Sequence, residues 1–110
     1  MTESTYVRIR ELNDTFRQTF QGGRVLTTSG IAALPEKIRD AILQRVRTFD
    51  QFTTANDPHR EHDFGNFEEA GNRVYWKIDY YDATMTYGSD DPTDPARTTR
   101  VLTIMLAQEY

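Results

Sequence analysis

Cysteine is absent from this chain. That removes disulfide staples, thiolate nucleophiles, iron–sulfur clusters and cysteine-ligated zinc together, and it fits a reducing cytoplasm. No apolar run is long enough to cross a bilayer, and the start at Met1–Thr5 has no basic region followed by an apolar stretch, so the chain reads as soluble, unexported and cytoplasmic, without a membrane partner. Catalytic signatures are missing as well: there is no Gly-x-Ser-x-Gly elbow, no phosphate-binding glycine loop and no His-Glu-x-x-His helix. No cofactor is expected. At 110 residues there is material for a single domain, residues 1–110, with one core.

The net charge of −4 is distributed unevenly. Residues 1–55 carry eight Arg and Lys against six acids, a balance of +2, whereas residues 56–110 carry five against eleven, a balance of −6. If the halves form different faces, the acidic side attracts a basic partner and repels nucleic acid, so direct nucleic-acid binding ranks below protein binding.

Apolar Ile9, Leu12, Phe16 and Phe20 recur at helical spacing before Gly22-Gly23, which marks a first amphipathic helix. Arg24–Thr28 is rich in β-branched residues and reads as a short strand. Pro35 then opens a second helix, with Ile38, Ile42, Val46 and Phe49 on one stripe, extending to about Phe52. Residues 53–60 have the Asn-Asp-Pro chemistry of a loop. His62–Glu69 is a strand interrupted at Gly65, and Ala70-Gly71-Asn72 is a turn. Val74–Tyr81 alternates, with Val74, Trp76, Ile78 and Tyr80 toward the core. Residues 84–98 form a long loop, and Val101–Leu106 is apolar on both faces, as a central strand is. The expected fold is α+β: an antiparallel β-meander of about four strands covered by two amphipathic helices, in the order α-β-α-β-β-β.

Three dense polar-aromatic blocks mark the second half: Asn56–Gly65, Trp76–Asp82 and Gly88–Pro95. With Leu12-Asn-Asp-Thr-Phe-Arg17, Gly22-Gly-Arg-Val25 and the ending Arg100–Tyr110, they make the chain resemble a domain-of-unknown-function family of short bacterial proteins, frequent in alphaproteobacteria and on their plasmids and integrated elements. The resemblance extends from Leu12 to the end. It implies a self-contained domain without an established activity, and a mobile-element setting in which counter-defence, anti-CRISPR or antirestriction, is an expected role.

Two chemistries compete for these blocks. Asp63, Tyr75, Asp79, Tyr81, Asp82, Asp90, Asp91 and Asp94 compose an acidic-aromatic binding surface, since rigid aromatics flanked by carboxylates suit a basic protein surface. With the mobile-element setting that the resemblance implies, the expected function is a non-enzymatic inhibitor that binds a host nucleic-acid-targeting protein complex. The alternative is a small metal-assisted hydrolase centred on His62 and Asp63, with His59 nearby. The spacing is not that of a known metal site, and loop hydrogen bonding accounts for these residues as well. Asp90, Asp91 and Asp94 lack the alternation of a calcium loop and suit Asp-Pro turns. A dimeric regulatory or scaffold domain, joined through a sheet edge or the tyrosine-rich face, is a third reading.

Overall fold

A computed structural model describes residues 3–110, with side chains from Thr5 onward; Met1 and Thr2, at the start considered above, lie outside the described residues. Helix α1 spans Glu3–Thr19, strand β1 Gly23–Thr27, the single-turn helix α2 Ser29–Ala32 and helix α3 Glu36–Arg47. Strands β2 (Phe64–Glu69), β3 (Asn72–Asp82) and β4 (Thr98–Leu106) follow, and a 3-10 turn, Ala107–Glu109, closes the chain. Among the described residues no helix is long and apolar enough to cross a membrane.

The four strands form one sheet in the order β1-β4-β3-β2. Here the architecture departs from an antiparallel meander. β2 runs antiparallel to β3 and β3 to β4, but β1 lies parallel to β4, Val25 opposite Leu102. The reason is connectivity. Only β2 and β3 are joined by a tight turn, in which Ala70 and Gly71 both take positive φ. β1 instead leaves the sheet through α2 and α3, and it is the last strand that returns beside it. α2 also adds a helix to the expected order.

The helices cover one face of the sheet. Phe16 of α1 and Ile42 and Val46 of α3 meet Val74, Trp76 and Ile78 of β3 and Leu102, Ile104 and Leu106 of β4 in a single cluster. Burying side chains of this size stabilises by about 1.5–3 kcal/mol each relative to exposure. Trp76 lies at the centre, fully buried, with the Phe49 ring edge-on at 5.6 Å. Gly65 sits directly opposite Trp76 because only a residue without Cβ fits there: a Cβ would lie 2.5 Å from the indole Nε1.

α1 ends where Phe20 and Gly22 turn to φ 58° and 100°. α3 stops at Arg47, earlier than the apolar stripe predicts. Phe49 and Phe52 continue that stripe in composition but leave helical geometry to pack on Trp76, at ring separations of 5.6 and 6.1 Å. β4 is the central strand expected from its two apolar faces.

Candidate functional site

Among the described residues the second face of the sheet carries no α-helix. Strand alternation turns Tyr75, Lys77, Asp79 and Tyr81 of β3 toward it, opposite Met105, Thr103, Val101 and Thr99 of β4. Arg24 and Leu26 of β1 continue the row on one side and Phe64 and Asn66 of β2 on the other. Across Leu26, Val101 and Met105 runs an open groove of about 460 Å³, walled by Tyr81 and Tyr110.

Two arrangements shape this face. Tyr110 folds back so that its ring stands 5.3 Å from Tyr75 and 6.1 Å from Phe64, and Phe64 and Tyr75 are 5.5 Å apart, all three pairs edge-on. The chain end is held there by Glu109. Its carboxylate accepts hydrogen bonds from the Thr28 hydroxyl and from the backbone N–H groups of Gly30 and Leu106, and these bonds, Thr28 foremost, keep it below the ordinary glutamate range. Asp79 pairs with Lys77 at 2.9 Å, a hydrogen bond that raises the lysine.

Tyr75, Asp79 and Tyr81 thus share one face, and the other sequence-predicted residues are elsewhere. Asp82 ends β3 and organises the turn after it: one carboxylate oxygen accepts from Thr84 N–H at 3.2 Å, Thr86 N–H at 3.0 Å and the Thr84 hydroxyl at 2.9 Å. Asp91 accepts from the N–H and hydroxyl of Thr93, and Asp94 from Ala96 N–H. These bonds hold Asp82 and Asp91 below the ordinary aspartate range, chiefly through Thr86 N–H in the first and the Thr93 hydroxyl in the second. Asp90 is exposed on the same loop. Asp82 and Asp91 are therefore ordered caps that keep their charge, and Asp94 caps the turn that follows it.

Asp63 does not belong to the strip. Its carbonyl accepts Ile78 N–H, which places it in register with the inward-facing side of β3. It is half-buried, and burial, followed by the charge of Glu61, pushes its carboxyl upward.

A buried polar network joins the first and second blocks to α1. Asn13 donates from Nδ2 to Glu61 O at 2.9 Å and to the Tyr80 hydroxyl at 2.8 Å, while its Oδ1 accepts from Arg100 Nε at 2.7 Å. The Tyr80 hydroxyl donates to Glu61 Oε1, and burial pushes that phenol upward. Arg17 donates from Nη1 to the carbonyls of Val46 and Phe49 and from Nη2 to Asp14. It thereby satisfies carbonyls left open by the end of α3. Burial lowers both arginines.

His62 belongs to this network too. Its Nδ1 lies 2.9 Å from Asp14 Oδ1, its Nε2 lies 3.6 Å from Asp57 Oδ2, and its ring stacks on Phe52 at 3.7 Å. Asp57 also accepts the N–H groups of Glu61 and His62. His59 is exposed. Among the described residues no group of three or more His, Cys, Asp or Glu is placed to hold a metal ion. The signal that could have revealed the network is the interval Ile9, Asn13, Arg17: two polar residues at the four-residue spacing of a helix's buried stripe.

The chain is thus a small α+β domain with one sheet face packed and the other presenting aromatic and charged side chains. The model of the family described as protein of unknown function DUF3768 matches residues 27–109, and the chain belongs to that family. Neither a curated protein nor a solved structure matches it.

Proposed function

We propose that this domain is a non-enzymatic binding protein whose uncovered sheet face docks on a basic, arginine-presenting surface of a host protein complex that targets nucleic acid. The observation that carries this reading is the grouping of Tyr75, Asp79 and Tyr81 on the face without helices. Beyond Tyr81 the chain continues into a loop bearing Asp82, Asp90, Asp91 and Asp94. Aromatics supply rigid contact area, and carboxylates stand in for phosphates against arginines. Because caps hold Asp82 and Asp91 ionised, the loop presents its charge without having to reorganise. In the mobile-element setting that the sequence resemblance implies, the partner is a CRISPR or restriction effector, the role is inhibition and the compartment is the cytoplasm.

The test is binding and inhibition with purified effector complexes, compared between wild type, Asp79→Ala and Tyr81→Ala over a salt series. The expected result is inhibition of nuclease action, at least tenfold weaker binding for each variant, and weakening with salt. Affinity indifferent to salt and to both substitutions would sink the reading. Divalent-metal-dependent hydrolysis abolished by His62→Ala with the fold retained would replace it with the hydrolase alternative.

A further inference from the structure

The two edges of the sheet are treated differently. β2 is guarded: Arg45 of α3 donates to the outward-facing Glu68 carbonyl at 2.6 Å, and its guanidinium lies 4.5 Å from the Phe67 ring centre. Among the described residues β1 has no such cover, and it is exposed along most of its length, including Leu26 at 51%. Neither proline nor a bulge interrupts it, and both are devices that block pairing at edges.

The direction of its free groups follows from one bond. Ile104 O accepts Thr28 N–H at 3.1 Å, with Thr27 registered on Ile104. In a parallel ladder alternate residues bond the neighbour, so Arg24, Leu26 and Thr28 face β4. The N–H and C=O groups of Gly23, Val25 and Thr27 point away from the sheet.

We propose that β1 pairs antiparallel with β1 of a second copy about a twofold axis through Val25, forming a continuous eight-stranded sheet. This pairing is self-complementary. Val25 exchanges two hydrogen bonds with Val25 of the second copy, and Gly23 exchanges two with Thr27 on each side, about six in all. Register is selected by charge. An axis through Val25 sets Arg24 against Leu26 of the second copy, whereas an axis through Arg24 sets two guanidinium groups face to face. Val25 already packs against the core on the helix side, and a hollow of about 250 Å³ lined by Thr27, Ile31 and Leu43 lies at the same edge. The added strand brings the valine of the second copy against this rim. The inference stands apart from the docking role of the open face, which the pairing leaves uncovered.

Sedimentation equilibrium together with residue-resolved amide exchange of the intact chain tests it. The expected result is a dimer whose Val25 and Thr27 amides exchange slowly and speed up on dilution. Thr27→Pro deletes one outward donor at an exposed position that the intrachain ladder does not use, and it weakens dimerisation at least tenfold with the circular dichroism unchanged. If that variant fails to fold, amide exchange of the wild type decides alone. A monomer at every concentration, with these amides exchanging freely, overturns self-pairing and leaves the edge to a strand from another protein. A dimer in which they exchange freely overturns it as well, since association then uses another surface.

Discussion

Arg100 Nε donates a 2.7 Å hydrogen bond to Asn13 Oδ1, joining two buried side chains 87 residues apart in the chain. The bond ties the central strand to the first helix, and Asn13 uses its remaining donors on Tyr80 and Glu61. Asn13→Ala leaves three groups without their partner in a site that water enters poorly. The expected loss is about 3 kcal/mol, seen as a fall in the urea midpoint and a drop in Tm of more than about 10 °C. A change below about 0.5 kcal/mol would mean the network is not formed in solution.

Arg17 reaches Val46 O at 2.9 Å and Phe49 O at 3.0 Å, with Phe52 and Trp76 flanking its guanidinium at 5.4 and 5.2 Å. A lysine ammonium cannot reproduce the planar fork that serves these carbonyls and Asp14 together. Arg17→Lys is therefore expected to lose about 2–3 kcal/mol, close to the loss for Arg17→Met. Thermal melts of the two variants side by side distinguish this from a role of charge alone, in which lysine would restore stability.

Gly65→Ala places a methyl group against Trp76 Nε1, deep in a packed core. Overpacking of this kind costs about 1–3 kcal/mol. Since Trp76 is the single tryptophan, the displacement of its ring should appear in near-ultraviolet circular dichroism as well as in the melting temperature. An unchanged tryptophan signal would contradict the close approach of the strands here.

Glu109 and Asp63 have opposite pH signatures. Glu109 is held low by its bonds to Thr28, Leu106 and Gly30, so its contribution is present above the unfolded value of about 4.3 and is lost as pH falls through the depressed folded value. Glu109→Gln should melt earlier than wild type at pH 7, with the difference shrinking below about pH 4. Asp63 is raised by burial, so its favourable contribution exists below the unfolded value of about 3.9 and is lost as pH rises through the raised folded value. Asp63→Asn should therefore melt later than wild type at neutral pH and converge with it in acid. Tm profiles against pH for the three proteins check both signs.

The amino-acid sequence by itself determined the elements whose signals are local. The periodicity of Ile9 and Phe16 sets α1, Pro35 opens α3, and the alternation of Val74, Trp76, Ile78 and Tyr80 separates the two faces of β3. The apolar run of β4 marks a central strand: Leu102 and Ile104 pack under the helices, and Val101 and Met105, on the open face, are buried between the flanking strands. Tertiary structure alone decided the parallel β1–β4 pairing, because strand direction depends on where the chain returns after the helices rather than on residues in either strand. It also decided that both packed helices lie on one face, so that Tyr75, Asp79 and Tyr81 fall on the other, and it turned Asp63 away from them. Asn13 and Arg17 needed their partners to be understood: a buried polar group is stable only when its hydrogen bonds are met, and the groups meeting them, Arg100, Glu61 and the end of α3, come from distant parts of the chain.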